Sequence, residues 1–272
     1  MSLEYEVVIE TQQYAVDMKS GLDTLTGVSD GARCIVQTIL ERKVPIRKTP
    51  QAPVRTIMKR TFEGSYGLKF SIEIFDDILK AKLRTIGQTV LAELISYYLN
   101  ESIYIDLTNL SEKAQETIKS LGNISQELID RLRITAVKNI HAVTKNFGYD
   151  VKVQQRSSSG IKLLVEFNEE SASTLDLERS TEEIEIQAAI TRFNTKTGNG
   201  RLQIKGANET VAFGFSTDYQ IVSLVGKKKF SINLNENNGL RPEHHIHIKI
   251  KVSPIRLHSQ KIIKYIVEGN VD

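Results

Sequence analysis

The sequence has little of what membrane and secreted proteins need. Its 272 residues include one cysteine and no tryptophan. Its longest apolar runs, such as 163–165, fall far short of the roughly 20 residues that span a bilayer. The first residues lack a basic region followed by an apolar stretch, so we expect neither a secretion signal nor a membrane partner. Cys34 alone can form neither an internal disulfide nor a thiolate metal site, which predicts a reducing, cytoplasmic location.

Motifs that would directly indicate an enzyme are also missing. No Gly-x-Gly-x-x-Gly follows a strand-like run, and there is no Walker phosphate loop, Gly-x-Ser-x-Gly elbow or His-Glu-x-x-His helix. Cys34 lies beside an apolar helical stripe, which favours a buried small side chain over a nucleophile. His141 lies between Ile140 and Ala142 with no acidic neighbour and is predicted to be structural. We therefore expect no catalytic residue, no resident metal and no cofactor.

Charge is distributed unevenly along a chain whose net charge is only +3. Between Ile186 and Val267, 13 Lys and Arg residues face four Asp and Glu residues, a local charge of +9. Between Glu166 and Glu185 there are eight acids and a single base, Arg179. A length of 272 residues favours two domains. We predict an α+β domain at 1–167, an acidic linker at 168–182 and a basic small barrel at 183–272.

Hydrophobic periodicity predicts a mixed α+β layer in the N-terminal half. Residues 3–10 alternate between apolar and polar like a half-buried strand. A stripe with three- and four-residue spacing then predicts one helix from about Asp17 to Lys43. Two β-rich runs, Val54–Phe62 and Leu68–Ile74, are separated by a Gly-containing turn and form a predicted hairpin. The order predicted here is β-α-β-β.

Helical patterns dominate the next part of the chain. Predicted helices begin near Asp76, Ser111 and Ser125, and Gly148 ends the last of them. The apolar stripes of 17–43 and 76–99 exceed what a thin sheet would cover alone, and three glycines in the first stripe permit close helix contacts. We therefore predict a homo-oligomer that assembles through these N-terminal helices.

Short strand-like runs separated by turn signals follow, a pattern typical of a small antiparallel barrel of the OB or SH3 type. These runs are 183–193, 201–205, 210–215, 228–234, 244–252 and 261–267. An earlier hairpin at 150–167 fits either domain. The predicted fold class is α+β, with an N-terminal β-α-β-β plus helices and a C-terminal barrel.

One part of the predicted barrel resembles a known family. Residues 191–204, TRFNTKTGNGRLQI, and 211–216, VAFGFS, are similar to the first strands of cold-shock and related OB-fold domains. The resemblance implies a small barrel that binds single-stranded nucleic acid on an aromatic platform. Arg192, Asn199, Arg201 and Gly214 stand where the family has Trp, Phe, Phe and His, so Phe193 and Phe213 alone remain as stacking platforms. The resemblance thus implies the fold more than the function.

The same aromatic residues have a second interpretation. Val211, Phe213 and Phe215 alternate along one run, and side chains that alternate inward fill the core of a small barrel. We favour this core interpretation over a stacking platform.

The basic residues of the barrel predict a surface for nucleic acid or another polyanion. Strand alternation in 244–252 turns the isoleucines inward and two histidines and two lysines outward, whereas 227–229 is equally typical of a solvated turn. The candidate contacts are Lys227, Lys228, Lys229, His245, His247, Lys249, Lys251, Arg192, Phe193, Arg201 and Phe213.

The two outward histidines also allow a metal site. Imidazoles two residues apart on one strand face leave the strand in parallel and can chelate a divalent ion. Glu236, Glu243 and His258 are the candidate third ligands. The two lysines on the same face oppose this interpretation, because they would repel a cation.

Two functions of different classes follow. The first, which we favour, is a non-catalytic protein whose N-terminal half mediates assembly and whose basic barrel contacts nucleic acid, a nucleotide or an acidic protein partner. The alternative is a metal-dependent hydrolase or nuclease that uses His245 and His247. The overall pattern also resembles small uncharacterised bacterial proteins of accessory or antiviral-defence loci, a resemblance that implies a role in antiviral defence.

Overall fold

The chain folds into two compact units, residues 1–175 and 176–272, each with a hydrophobic core of its own. This computed structural model describes residues 2–12, 15–46, 49, 51–62, 66–107, 109–157, 160–175, 178–179, 182–257 and 260–270. The predicted α+β class with a C-terminal barrel is confirmed. None of the described helices combines the length and apolar character needed to cross a bilayer.

The first unit is an antiparallel sheet packed against helices. Its elements are β1 (Ser2–Ile9), α1 (Met18–Glu41), β2 (Val54–Phe62), β3 (Tyr66–Ile74), α2 (Asp77–Ile86), α3 (Gln88–Ser102), α4 (Glu112–Leu121), α5 (Asn123–Leu132), a π-helical turn (Arg133–Val137), α6 (Lys138–Ile140), α7 (Ala142–Phe147), β4 (Val151–Ser157), β5 (Gly160–Phe167) and α8 (Glu169–Ala172). The strand order is β2-β3-β1-β4-β5. Because β4 pairs with β1, the hairpin that fitted either domain belongs to the first unit.

Capping side chains define where the helices begin. The Asp17 carboxylate accepts a hydrogen bond from the Ser20 N–H at 2.8 Å, and Asp76 accepts one from the Leu79 N–H at 2.8 Å. Such caps satisfy backbone donors that have no partner inside the helix. The stripe predicted as one helix after Asp76 is two, α2 and α3, because Gly87 adopts φ +92° between them. A positive φ of this kind favours glycine and ends the helical geometry.

Most of the apolar stripes of the N-terminal helices are buried within the first unit, although Met18 and Leu22 at the start of α1 are exposed. Leu83 is completely buried, and Val90 packs against the same core. Gly27 brings α1 close to the following helices, since a Cβ there would lie 2.5 Å from the Ile140 amide nitrogen and 2.9 Å from the Ala136 oxygen. The stripes and the glycine therefore serve packing inside the chain. They supply no argument for the homo-oligomer, which stays a prediction.

The sheet face away from the helices carries a buried carboxylate. Glu6 on β1 is only 2% exposed, and it accepts hydrogen bonds from Arg156 at 2.7 Å and Gln154 at 2.9 Å. Lys69 lies 3.2 Å from the same carboxylate. Burial alone would raise the pKa of Glu6, but the hydrogen bonds and charges of these partners outweigh burial and lower the pKa to about 2. The carboxylate therefore joins strands β3, β1 and β4 while it remains charged.

The second unit is a closed five-stranded barrel. Its elements are β6 (Glu178–Arg179), β7 (Ile184–Phe193), β8 (Gly200–Ile204), β9 (Thr210–Phe215), α9 (Leu224–Asn237), β10 (Ile248–Arg256) and β11 (Ile262–Asn270). The strands close in the order β7-β8-β9-β11-β10-β7, with β6 added to β10. Only the β9–β11 pair among these described strands is parallel. With a helix between its third and fourth strands, the barrel has the strand order of the OB fold.

Two of the predicted strands in this unit are wrong or misplaced. Residues 228–234 belong to the helix α9, whose N-cap Ser223 accepts a hydrogen bond from the Gly226 N–H at 3.1 Å. The strand predicted at 244–252 begins only at Ile248. Asn233 and Asn237, which lie on the buried side of α9, are polar, so the helix shows no apolar periodicity.

The predicted acidic linker at 168–182 is in part a structured end of the first unit. Asn168 and Ser171 form a reciprocal capping box at the start of α8, and residues 173–175 continue as a 3₁₀ turn. Residues 178–179 form β6. Of the remaining linker positions, 176–177 and 180–181 lie outside the described residues.

Candidate polyanion-binding surface

Of the two aromatic residues proposed as a platform, Phe213 lies in the barrel core, and Phe193 is partly buried against that core. Phe213 is 1% exposed, with ring centroids 5.3 Å from Phe230 and 6.0 Å from Phe193. Phe193 also contacts Tyr219 at 5.9 Å. The core interpretation of Phe213 is confirmed. Its ring is covered on the inside of the barrel, so the expectation that Phe213 stacks on a base is wrong.

Three basic side chains share one row across the outside of the barrel, which we name the basic row: Arg192, Arg201 and Lys264. Arg192 on β7 pairs with Arg201 on β8, Arg201 pairs with Ala212 on β9, and Ala212 pairs with Lys264 on β11. Residues directly opposite on neighbouring strands have Cβ atoms about 5 Å apart on the same face. The row therefore contains three cations on four neighbouring strands, with Ala212 between Arg201 and Lys264.

Burial differs along the basic row. Arg201 is only 3% exposed, and its guanidinium donates from Nε to Thr210 Oγ1 at 2.9 Å and from Nη2 to the Thr210 carbonyl at 3.1 Å. Arg192 and Lys264 are partly exposed. Arg201 is thus a fixed charge beneath the surface, while the two flanking residues can reach a ligand.

The loop between β7 and β8 borders the basic row. It is closed by hydrogen bonds from the Asn194 N–H to the Asn199 carbonyl and from the Gly198 N–H to the Asn194 carbonyl, both 2.8 Å. A Cβ at Gly214 would lie 2.7 Å from Asn199 Oδ1 and 3.4 Å from Lys264 Nζ. The absence of a side chain at Gly214 therefore lets the loop approach Lys264 closely.

The lysines at 227–229 do not form one patch. They occupy successive positions of α9, and successive helical side chains point about 100° apart. Lys227 Nζ donates to the Gln220 carbonyl at 2.9 Å and lies 5.0 Å from the Tyr219 ring centroid. Lys229 is partly buried and Lys228 is exposed. These three residues therefore do not converge on a single ligand.

The two lysines of β10 form ion pairs with acidic residues. Lys249 Nζ lies 3.8 Å from Glu185, and Lys251 forms an ion pair with Glu183. Both acids belong to the acidic stretch that precedes the barrel core, so part of the predicted basic face is neutralised by the chain itself. His245 and His247 are partly buried and precede β10. The expected continuous face of two His and two Lys on one strand is therefore wrong.

In the described part of the barrel, no third ligand joins His245 and His247 to form the alternative metal site. Among the described residues, the group of three His, Cys, Asp or Glu side chains with donor atoms within 4.8 Å of one another is Glu10, Asp150 and Glu166, in the first unit. Glu10 is held by Lys152 Nζ at 2.6 Å. His258, one of the candidate ligands, lies outside the described residues.

Comparisons with models of known protein families, with curated proteins and with solved structures found no match. They therefore provide no relative from which a ligand or a pathway, such as antiviral defence, can be transferred to this chain.

Sequence reasoning found part of this surface and missed the rest. It named Arg192 and Arg201 among the candidate contacts, but it did not place them side by side. It did not name Lys264, because the parallel pairing of β9 with β11 is not visible in the sequence. It also passed over Lys205, which follows β8 and whose Nζ lies 3.4 Å from Gln187 Oε1.

Proposed function

We propose that the barrel binds single-stranded nucleic acid through its phosphates and has no catalytic role. The observation that carries this proposal is the alignment of Arg192, Arg201 and Lys264 in one cross-strand row. The row crosses the second and third strands of a barrel with OB strand order, the face on which OB folds bind oligonucleotides.

Recognition through phosphates follows from the chemistry of the surface. Arg and Lys neutralise phosphates, whereas the buried Phe213 supplies no ring for base stacking. Binding without stacking reads little sequence and depends strongly on salt, because each neutralised phosphate releases counterions. We therefore infer a ligand class of single-stranded polyanions with low sequence preference.

The test is a salt titration of a fluorescently labelled single-stranded oligonucleotide, read by anisotropy. For the native protein, log affinity should fall linearly with log salt, with a slope of about −0.7 per phosphate contacted. Lys264→Glu and Arg192→Glu should each weaken binding several-fold at about 50 mM salt, and each should reduce the slope by about 0.7.

A matched control uses the same substitution on another surface. Lys228 is exposed on α9, and Lys228→Glu changes the net charge of the protein as much as Lys264→Glu does. The control should retain nearly native affinity. Equal losses in Lys228→Glu and Lys264→Glu would mean that only overall charge matters. An absence of binding at about 50 mM salt would contradict the function itself, and cleavage abolished by a chelator would support the hydrolase alternative.

A further inference from the structure

One side of α9 is exposed along its whole length. Successive residues of a helix point about 100° apart, so the exposed residues of α9 fall within one arc of about 120°. They are Leu224, Val225, Lys228, Ile232, Asn235 and Glu236. The residues buried against the barrel, among them Phe230 and Asn233, lie on the opposite side. We name the exposed arc the outer face of α9.

Half of the outer face is apolar. Leu224 is 67% exposed, Val225 76% and Ile232 52%. Leu240, 43% exposed, follows the end of the helix at Asn237. Exposed aliphatic side chains are ordinary when they occur singly, but several on one helix face form a patch that a partner can cover.

A cation and an anion lie at equal distances from the middle of the outer face. Lys228 precedes Ile232 by four residues and Glu236 follows it by four, about 6 Å along the helix axis in each direction. Both charged side chains are exposed, and neither forms an ion pair with a described residue. At intervals of four residues from 224 to 240 the order is therefore Leu, Lys, Ile, Glu, Leu.

This order is complementary to itself when two copies of the helix pack antiparallel. A two-fold axis at Ile232 brings the two Ile232 side chains together and places Lys228 of each copy opposite Glu236 of the other. The same axis places Leu224 of each copy opposite Leu240 of the other. Opposite charges and apolar side chains are thus matched at every one of these positions.

The glycine after the helix leaves room for one more contact. Val225 precedes Ile232 by seven residues, so in this arrangement it faces Gly239 of the second copy. A Cβ at Gly239 would meet nothing within 4 Å, and its φ of +85° favours glycine. The space beside Gly239 is therefore open to an aliphatic side chain.

Other arrangements of two helices match the charges less well. Parallel packing places Lys228 opposite Lys228 and Glu236 opposite Glu236, and like charges repel. An antiparallel axis two residues earlier places Lys228 opposite Ile232 and Glu236 opposite Leu224, so each charge loses water to an aliphatic side chain. The charge pattern thus selects the antiparallel pair centred on Ile232.

We propose that the outer face of α9 binds a second copy of this chain as an antiparallel helix pair centred on Ile232. The pair covers the apolar patch of both copies and forms two ion pairs between Lys228 and Glu236. One helix from each copy buries less than the roughly 1,000 Å² of a stable interface, so the dimer forms only at high protein concentration. The proposal is independent of the nucleic-acid function, because each barrel keeps its own basic row.

Sedimentation equilibrium of the full chain tests the proposal. The native protein should shift from monomer toward dimer between about 10 and 500 µM. Lys228→Glu and Glu236→Lys should each weaken the dimer about tenfold, because each variant replaces two attractive pairs by two repulsive ones. The two variants change the net charge in opposite directions, so a general charge effect would not weaken both. Glu209→Lys is the matched control, an exposed acid between β8 and β9 that should leave the dimer unchanged.

An equal mixture of Lys228→Glu and Glu236→Lys gives the decisive result. The first variant has glutamate at both positions and the second has lysine at both, so a mixed pair has opposite charges at all contacts. The mixture should associate about as tightly as the native protein, and so should the double variant. A native protein that stays monomeric at about 500 µM, an undiminished dimer in Lys228→Glu, or a mixture that does not recover would each overturn the proposal.

Oligonucleotide binding provides a separate readout. An oligonucleotide too short to reach two barrels should bind Lys228→Glu as tightly as it binds the native protein, because α9 carries no residue of the basic row. A dimer that recovers in the mixture, in a protein that binds no oligonucleotide, would support the helix pair and contradict the nucleic-acid function.

Discussion

His141 shows how a buried polar residue fits a purely structural role. Its ring is completely buried, with Nδ1 2.8 Å from the Val137 carbonyl and Nε2 2.7 Å from Ser171 Oγ. A carbonyl oxygen only accepts hydrogen bonds, so Nδ1 carries the proton and Nε2 of the neutral ring accepts from Ser171. Burial lowers the pKa of His141 to about 4. The sequence-based expectation of a structural histidine is confirmed.

Acid should therefore destabilise the first unit through His141. His141 binds a proton near pH 6.5 in the unfolded chain but only near pH 4 in the folded chain. The folding stability that is present above pH 6.5 is therefore lost as the pH falls from 6.5 toward 4. The loss between pH 8 and pH 5 should be about 2 kcal/mol. Urea unfolding of the native protein and of His141→Gln at both pH values measures it. An equal pH dependence in the two proteins would show that His141 does not titrate in this way.

Elements with strong local signals were predicted well. α1 begins at Met18, next to the predicted start at Asp17, β2 runs from Val54 to Phe62, and β9 from Thr210 to Phe215, as expected. In each, the apolar pattern and the capping or turn residues agree. α9 was missed because its buried positions include Gly226, Asn233 and Asn237.

The start of β10 was misplaced for a related reason. The isoleucine alternation of the strand continues backwards to Ile246, yet Ile246 is 49% exposed and precedes the strand. Its backbone bonds to asparagine side chains of α9 instead of to a neighbouring strand. The sequence did not predict the basic row either, because Arg192 and Lys264 share a row only through the pairing of four strands. The local sequence pattern thus predicts helices and strands, whereas the pairing of distant strands determines which side chains form the candidate site.

Replacement of Gly27 tests how closely α1 packs. In an isolated helix Gly→Ala stabilises by about 1 kcal/mol. In this protein, however, the added Cβ would lie 2.5 Å from the backbone nitrogen of Ile140. Gly27→Ala should therefore destabilise the protein, with a lower midpoint in urea. Gly21→Ala is the matched control, because the three atoms nearest to its added Cβ all belong to the Val16 side chain, the closest at 2.9 Å. Equal midpoints for the two variants would contradict this packing.

The whole molecule consists of two units whose buried cores share no residue. The core of the second unit is formed by Ala188, Ile190, Leu202, Phe213, Phe230, Ile250, Val252, Tyr265 and Val267. A separate core is what allows a domain to fold alone. The division after Leu175 lies inside the segment predicted as a linker, 168–182.

Chains 1–175 and 176–272, produced separately, should each fold. We expect dispersed amide NMR spectra and cooperative urea unfolding for both, because neither core borrows side chains from the other. Poorly dispersed amide spectra for 176–272 alone would show that the barrel depends on the first unit to fold. The fragment also allows oligonucleotide affinity to be compared with that of the full chain.

Because β9 pairs in parallel with β11, the basic row is complete only when the barrel is closed. Ala212 and Lys264 meet across a loop of about 50 residues, and such long-range contacts form slowly. Before β11 inserts, Lys264 is not beside Ala212 and the line of cations is incomplete. A ligand that bridges Arg192 and Lys264 would bind only the closed barrel, so it would hold β11 in place and slow its release. The lifetime of the closed barrel would then increase with ligand concentration.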